Sequence, residues 1–513
     1  MHFNSAPSLE KRDSSDVLIL PFWKGKKVPT PVTELSHLSA KVQASLQAPI
    51  HAKDFTAKEG ECIFTYGDEI AEPRILLLGL GDQQNITQEG LRRSFGQAVR
   101  ACHQKKVTRV NILFPVTEYL SNEHVARAIA EGLISANYSF NAYKSQTLNE
   151  ATSHIQEITF IGDEAFFILE HIKHAQKIMK GVFLARDLTN GNADFITPEY
   201  LAETAKKIAK ATPRLKVEVH DEAWIKKEGM GLFLAVAQGS KKEPKFIVMK
   251  WRGDPTSSDH TVIVGKGITF DTGGLLLKPL GSIENQRADM AGAASAMGTI
   301  QAISELELAI NVTVVIAACE NAIGSDAYKP GDVFKSYLGK TVEILSTDAE
   351  GRLTLADALA WSEKELKPSR IIDLATLTYA MIVTLGSEAA GLMSNSESLA
   401  QELLQAAHRT HERAHLFPLY EEYKDVLKSD IADMKNWAGR EAGALVAGTF
   451  LNQFIEKTPW AHFDIAGVAF LKEMKRYNPK LATGFGVRLL VDFFEHLSEK
   501  REELPKASLK RKK

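Results

Sequence analysis

Carboxylates that could bind metal ions lie in three short segments of the second half of the chain, one of which also carries a lysine. Lys266 and Asp271 stand in G-K-G-I-T-F-D-T-G-G, Asp289 in A-D-M-A-G-A-A, and Asp348 and Glu350 in S-T-D-A-E-G-R. Carboxylates gathered in one place need cations to compensate their repulsion, and oxygen-rich sets suit magnesium, manganese or zinc. Paired ions about 3.5 to 4 Å apart polarise a carbonyl and supply hydroxide near neutral pH. The residue types therefore indicate hydrolytic chemistry.

Each segment alone also has a simpler interpretation. The glycine-rich segment could be a tight turn after a strand, and it is no dinucleotide fingerprint because Phe270 stands where the third glycine belongs. Asp289 could be a first-turn residue favoured by the helix dipole, and Thr347 or Asp348 could be a helix cap. Asp348 and Glu350 are two residues apart, so in extended backbone both would point to the same side. That spacing favours a shared role.

Alternating strands and helices position these segments. Apolar runs predict strands at 17–21, 75–80 and 110–114 and helices at 89–102 and 123–137, followed by a connecting helix at about 165–188. Further strands are predicted at 261–264, 312–318, 370–374 and 462–465, with the helix after S-T-D-A-E-G-R starting near residue 353. Strands separated by helices favour a mostly parallel sheet with its ligand site at the carboxyl ends of the strands. The fold class predicted is α/β.

Length and composition bound the kind of protein. A chain of 513 residues should form at least two domains, for which we predict the limits 1–165 and 166–500, with a basic tail at 501–513. A formal charge of −2 makes nucleic-acid binding an unexpected main role. Three cysteines without a C-x-x-C pair indicate a reducing compartment. With no apolar leader or membrane span in the sequence, we expect a cytoplasmic protein.

Several segments resemble one enzyme family. S-T-D-A-E-G-R-L is similar to N-T-D-A-E-G-R-L, the signature of the leucine aminopeptidases, also called cytosol aminopeptidases. Other segments resemble the family in the same order between about Arg186 and Phe493: V-G-K-G-I-T-F-D-T-G-G, A-D-M-A-G-A-A, Y-K-P-G-D-V, D-L-A-T-L-T, A-D-M-K-N-W-A-G-R-E-A-G-A and H-F-D-I-A-G. The resemblance implies a macro-like amino-terminal α/β domain, a carboxyl-terminal α/β catalytic domain with a mostly parallel central sheet, and a homohexamer.

The resemblance also implies a metal site and an activity. The two divalent ions, Mn²⁺ or Zn²⁺, would be bound by Lys266, Asp271, Asp289, Asp348 and Glu350. A lysine ligand must be neutral, which burial and adjacent metal charge favour. The substrates implied are peptides with a free amino terminus, whose amino group binds one ion while the scissile carbonyl meets the other. The enzyme would thus be an aminopeptidase.

Two further basic residues receive catalytic roles from the resemblance. Lys278 is similar to the lysine that stabilises the oxyanion of the tetrahedral intermediate, where a fixed positive charge meets developing negative charge. Arg352 is similar to the arginine that holds bicarbonate, the general base. A forked guanidinium suits a planar oxyanion.

Three positions depart from the family pattern. Ser346 replaces the asparagine of the signature, a change expected to leave activity intact. Gln286 stands where many members carry methionine, and Tyr379 where glycine is usual; both resemble positions that line the pocket for the first side chain of the substrate. We therefore expect a weaker preference for leucine than the family name implies, unless neighbouring segments shift to compensate.

Other functions remain open on the sequence alone. His411, Glu412 and His415 spell H-E-x-x-H, the zinc motif of an unrelated class of metallopeptidases, but the surrounding polar run A-H-R-T-H-E-R-A-H-L-F-P predicts a solvated helix face instead. A second hypothesis is a vestigial hexameric scaffold whose macro-like domain binds nucleotide or nucleic acid. A third is a dipeptidase selective for cysteinyl-glycine, which would share the same site.

Overall fold

The structure is a computed structural model that describes residues 1–35, 38–67, 71–145 and 154–503. The chain forms two compact units. The first comprises Met1–Met179 and Glu473–Lys480, and the second comprises Lys180–Lys472 and the chain from Leu481 onwards. The first unit ends, and the second begins, inside a helix that starts a few residues after the predicted domain limit at 165. Residues 504–513 of the predicted basic tail lie outside the described residues.

The first unit is built on one mixed sheet. Its strands are β1 His2–Ala6, β2 Val17–Trp23, β3 Thr30–Pro31, β4 Cys62–Thr65, β5 Ile75–Gly79, β6 Arg109–Leu113 and β7 Glu157–Ile161. The order is β1-β7-β6-β2-β5-β4, with β3 paired to β2, and only the pairs β4–β5 and β2–β3 are antiparallel. Its helices are Ala40–His51, Gln88–Gln104, Asn122–Ala136 and the start of Leu169–Asn190, with 3-10 turns at Leu9–Lys11, Gln83–Asn85 and Asp163–Ala165.

The second unit contains the larger sheet. Its strands are β8 Leu215–His220, β9 Lys245–Arg252, β10 Thr261–Asp271, β11 Asn311–Asn321, β12 Val333–Lys335, β13 Thr341–Glu343, β14 Arg370–Ala375, β15 Ala390–Ser394, β16 Ala414–Leu416, β17 Met434–Lys435, β18 Trp460–Asp464, β19 Phe470–Leu471 and β20 Leu481–Ala482. The main sheet has the order β16-β15-β18-β14-β10-β11-β9-β8. Its four central strands β18, β14, β10 and β11 are mutually parallel. At one side of them β9 pairs antiparallel with β11, and the edge strand β8 pairs antiparallel with β9.

Helices cover this sheet and connect its strands. They are Pro198–Ala211, Glu222–Glu228, Gly231–Ala237, Ala291–Glu305, Gly351–Trp361, Tyr379–Leu385, Glu397–Thr410, Glu422–Asp425, Gly443–Asn452 and Val487–Glu503, with the 3-10 helix Ile283–Met290 and the π-turn Ser362–Leu366. Polar residues cap several of them as expected: Thr197 accepts the N–H of Tyr200 and Thr378 that of Met381. The predicted α/β class, with a parallel centre in the main sheet of the second unit, is confirmed.

The structure differs from the prediction in the length of one strand and in the conformation of the H-E-x-x-H run. The strand predicted to end at Val264 continues to Asp271, because nearly all of its residues are buried between helices and the polar ones pair inside the site. The H-E-x-x-H run is not a helix face: the helix ends at Thr410, His411 adopts a left-handed conformation, and His415 lies on β16. Glu412 is buried and accepts the N–H groups of Gly486 and Leu489 at the start of the last helix.

In the part of the chain that the structure describes, none of the helices combines the length and the apolar character needed to traverse a lipid bilayer.

Candidate metal centre

The central strand β10 supplies two of the predicted ligands, Lys266 in its middle and Asp271 at its end. Five residues apart, their side chains would point to opposite faces of a regular strand. The pairing with β11 shifts register between Ile268 and Asp271, and this irregularity turns Asp271 to the side of Lys266. After the shift Asp271 pairs with Asn321, whose Nδ2 donates to Asp271 Oδ1 over 2.7 Å.

Lys266 reaches the other predicted ligands through space that Gly351 leaves open. A Cβ on Gly351 would lie 2.4 Å from Lys266 Cε, so only glycine leaves room for this side chain. Lys266 Nζ lies 2.8 and 2.7 Å from the two carboxylate oxygens of Asp289 and 2.8 Å from Glu350 Oε1. It also donates to the carbonyl oxygen of Thr376 over 3.0 Å. Lys266 is therefore held at the centre of the cluster.

Asp289 precedes a helix, as predicted. It is the last residue but one of the 3-10 helix Ile283–Met290, just before the helix Ala291–Glu305, and it is buried. The hydroxyl of Thr376 donates to Asp289 Oδ1 over 2.8 Å. One loop, the one after β14, thus contacts both Lys266 and Asp289.

Asp348 and Glu350 meet in a turn and not in extended backbone, so the prediction of an extended segment is wrong. Glu350 has helical dihedral angles and immediately precedes the helix Gly351–Trp361, which starts two residues earlier than predicted. The two carboxylates nevertheless converge: one oxygen each of Asp271, Asp348 and Glu350 lies within 4.8 Å of the others. Glu350 is buried, whereas the side chain of Asp348 is 40% exposed. Asp348 therefore faces the open side of the cluster.

Lys278 follows two glycines with positive φ, Gly273 and Gly274, which let the loop after β10 turn sharply. Its Nζ lies 2.8 Å from Asp271 Oδ2 and 2.5 Å from Asp348 Oδ1. Its side chain is 14% exposed. Lys278 thus stands at the open side of the cluster, next to the exposed carboxylate of Asp348.

Arg352 lies in the first turn of the helix Gly351–Trp361 and is buried. Its Nη1 donates to the backbone oxygen of Asn436 over 2.8 Å, while its Nε has no hydrogen-bond partner among the described residues. Burial lowers the pKa of Arg352 to about 10, which leaves it charged at neutral pH. A buried guanidinium with unused donor capacity can accept an anion.

Burial and charge together set the protonation of the cluster. Burial raises the pKa of Asp271 to about 6, and the negative charge of Glu350 acts in the same direction. Burial alone would lower the pKa of Lys266, but the charges of Asp289, Glu350 and Asp271 outweigh it and hold this pKa above its usual value. Burial would also lower the pKa of Lys278, but the negative charges of the carboxylates around it have the larger effect and raise this pKa. Carboxylates with so strong a pull on cations form an oxygen-rich donor set that fits divalent metals.

Sequence reasoning gave no role to three residues that hold this site: Asn321, Thr376 and Asn436. Asn321 contacts Asp271, Thr376 contacts Lys266 and Asp289, and Asn436 contacts the turn before the helix Gly351–Trp361. Thr376 and Asn436 lie in the segments D-L-A-T-L-T and A-D-M-K-N-W, which resemble the family but contain no predicted ligand. That resemblance was the only available signal.

Of the three residues that depart from the family pattern, the two expected to line the pocket for the first side chain lie on segments of the site. Gln286 is on the same 3-10 helix as Asp289, half-buried, and its Nε2 donates to the carbonyl oxygen of Ser282. Tyr379 is the first residue of the helix Tyr379–Leu385 and is 76% exposed. It follows the loop that carries Thr376.

Two family models match the chain. The cytosol aminopeptidase family, catalytic domain, matches residues 183–491, and the cytosol aminopeptidase family, N-terminal domain, matches residues 19–147. The chain belongs to the cytosol aminopeptidase family. Membership makes it a leucyl-type metalloaminopeptidase, a hydrolase of peptide bonds that depends on metal.

Relatives with the same family name align with almost the full length of this chain. A probable cytosol aminopeptidase of Protochlamydia amoebophila is 47% identical over 500 residues, which cover 97% of this chain and 99% of the relative. A probable cytosol aminopeptidase of Chlamydia abortus is 42% identical over 509 residues, with the same two coverages. A solved structure, the bottromycin maturation enzyme BotP in complex with Mn, is similar with a TM-score of 0.83 at 28% identity, covering 94% of this chain and 100% of that one.

Proposed function

We propose that this member of the family releases amino-terminal residues from peptides with water activated by two divalent ions. The ions, Mn²⁺ or Zn²⁺, are held by Lys266, Asp271, Asp289, Asp348 and Glu350. The supporting observation is the convergence of three carboxylates within 4.8 Å, beside a lysine that contacts Asp289 and Glu350. Ions bound there would polarise the scissile carbonyl and supply hydroxide near neutral pH.

The two lysines of the site have opposite tasks. Lys266 binds an ion only as a neutral amine, so it must give up its proton when the site is loaded. Lys278 stays charged and, from its position beside Asp348, stabilises the oxyanion that develops on the substrate carbonyl. The greater exposure of Lys278 supports this division, because a group that meets substrate must be reachable from the open side.

Arg352 is proposed to hold bicarbonate as the general base. Its buried, charged guanidinium and its unpartnered Nε among the described residues support this role. A test is the rate of peptide cleavage in bicarbonate-free buffer against added bicarbonate. Wild type should be stimulated and Arg352→Met should not. Equal stimulation of both would contradict the assignment.

The first side chain of the substrate is proposed to lie near Gln286 and Tyr379, with a weaker preference for leucine than the family name implies. A polar amide and a bulky phenol would shrink or polarise the pocket. Rates for leucyl, alanyl, methionyl and arginyl substrates test this. A leucyl substrate that exceeds the other three tenfold would contradict the hypothesis.

The activity is tested with free and amino-terminally acetylated dipeptides. The protein is stripped of metal and then resupplied with Mn²⁺ or Zn²⁺, and released amino acid is measured. Only the free dipeptides should be cleaved, only with metal, and not by Asp348→Ala. A folded protein that cleaves nothing under any metal would favour the scaffold hypothesis instead.

Assembly and location are proposed from the family alone. We propose a cytoplasmic homohexamer that acts on peptides with a free amino terminus. Sedimentation velocity tests the assembly, and a purely monomeric species would contradict it.

A further inference from the structure

A single buried asparagine connects the turn that carries Asp348 and Glu350 to a distant part of the chain. Asn436 directly follows β17, which pairs in parallel with β13. It has no exposed surface. Because β13 leads into the turn at 344–350, this pairing brings Asn436 against the turn although some ninety residues separate them.

The side chain of Asn436 satisfies both kinds of backbone group in this turn. Its Oδ1 accepts the N–H groups of Leu345 and Ser346 over 2.9 and 3.2 Å. Its Nδ2 donates to the carbonyl oxygens of Ser346 and Ala349 over 2.6 and 3.4 Å. These four bonds span the backbone immediately before and between the two carboxylates.

The backbone of Asn436 contributes a fifth bond, from Arg352 Nη1 to its carbonyl oxygen over 2.8 Å. One residue therefore contacts the segment on both sides of Glu350. The Asn side chain offers two N–H donors and a carbonyl oxygen on one short uncharged group, which matches a buried turn that presents both N–H and C=O groups. Ser346, which replaces the family's asparagine, takes part through its backbone, so its side chain is not needed for this contact.

We propose that Asn436 is a positioning residue that fixes the carboxylates of Asp348 and Glu350 for metal binding. The inference rests on the proposed two-metal site. Residues that hold metal ligands in place typically change metal affinity 10- to 100-fold when replaced. The same loss is expected here.

The test compares Mn²⁺ dissociation constants of the full-length, metal-stripped protein, read from the electron paramagnetic resonance of free Mn²⁺. Asn436→Ala removes all four side-chain bonds. Asn436→Asp keeps the acceptor for the N–H groups of Leu345 and Ser346 but places an oxygen against the carbonyl oxygens of Ser346 and Ala349. Its added negative charge would by itself favour a cation, so weaker binding by this variant reports geometry.

Asn311→Ala is the matched control. Asn311 begins β11, is also buried, and holds a loop by donating to the carbonyl oxygens of Asp254 and Ser257 and accepting the N–H of Asp254. No proposed ligand lies on that loop. Its replacement should lower the melting temperature about as much as Asn436→Ala does and leave the Mn²⁺ affinity within twofold of wild type.

We expect both Asn436 variants to bind Mn²⁺ 10- to 100-fold more weakly than wild type. If both Asn436 variants bind Mn²⁺ as tightly as wild type, or if Asn311→Ala loses as much affinity as they do, the inference about Asn436 is overturned and the proposed function is unaffected. Wild-type protein that binds Mn²⁺ but cleaves no peptide would refute the proposed function, while the ratio of dissociation constants still decides the role of Asn436. A wild type that binds no Mn²⁺ would overturn both.

Discussion

Gly351 is the position where a single added carbon should disable the site with little effect on the fold. It begins the helix Gly351–Trp361, and a Cβ there would lie 2.4 Å from Cε and 2.7 Å from Nζ of Lys266. Carbon atoms rest about 3.5 to 4.0 Å apart, so in Gly351→Ala the lysine must retreat by about 1 Å or more. That retreat breaks contacts of 2.7 to 2.8 Å with Asp289 and Glu350.

The two expected magnitudes differ clearly. A misplacement of about 1 Å in a catalytic constellation can cost about 100-fold in rate, or roughly 2.7 kcal/mol of transition-state stabilisation. Overpacking costs about 1 to 3 kcal/mol of folding free energy, but alanine is favoured over glycine in a helix by about 1 kcal/mol. Gly351→Ala should therefore lose about 100-fold in kcat and only about 0 to 2 kcal/mol of stability.

Gly448→Ala provides the matched control. Gly448 also lies in a helix, Gly443–Asn452, and its added Cβ would lie 2.4 Å from Sδ of Met393, again a flexible side chain. Steady-state cleavage of a leucyl peptide at saturating Mn²⁺ and urea unfolding are measured for both variants. The reasoning is refuted if Gly351→Ala keeps kcat within about threefold of wild type, or if both variants lose activity equally.

Three further outcomes are expected. Lys278→Met should lower kcat about 100- to 1,000-fold without weakening Mn²⁺ binding, because the lysine acts on the oxyanion and not on the ions; weaker Mn²⁺ binding measured by titration would count against this role. Mn²⁺ affinity should fall as the pH drops through about 6, because Asp271 then takes up a proton while Lys266 keeps its proton. A dissociation constant that does not change with pH would contradict the proposed ligand set. Asp357 is buried, has no ion pair among the described residues, accepts the N–H groups of Phe233 and Tyr337, and has its pKa raised by burial to about 7. The folded state holds this proton more tightly than the unfolded chain, so wild type should lose stability relative to Asp357→Asn as the pH rises from about 4 to about 7. Urea unfolding at several pH values should show that the difference in unfolding free energy between the two proteins changes over that range.

Motif spacing was sufficient to nominate residues that converge, and insufficient to say how they converge. Lys266 and Asp271 share one side only because β10 is irregular after Ile268, and an irregularity of one pairing depends on the neighbouring strand. Asp348 and Glu350 were expected to share a side through extended backbone, yet they meet in a turn at a helix start. The period of apolar residues carries no information about either feature.

Contacts between distant segments were the second feature that could not be predicted from the sequence. Thr376 contacts the predicted ligands Lys266 and Asp289, and Asn436 contacts the turn that carries Asp348 and Glu350. The two lie in separate loops, and nothing in the residues around the predicted ligands identifies either partner. The segment Glu473–Lys480 belongs to the first unit, where Tyr477 donates to Glu89, although it lies near the end of the chain. The helix predicted around His411 was wrong for the same reason, because Glu412 makes a long-range contact: it accepts an N–H group at the start of another helix.

The position of Lys266 in the middle of β10 ties activity to the most protected part of the molecule. β10 is the buried strand between β14 and β11, so its backbone hydrogen bonds open only when the sheet itself opens. Fraying at a chain end or at an edge strand such as β8 leaves this proposed ligand in place. On heating, the midpoint of inactivation should therefore coincide with the midpoint of unfolding of the second unit. An enzyme in which only edge strands have unfolded should still turn over substrate.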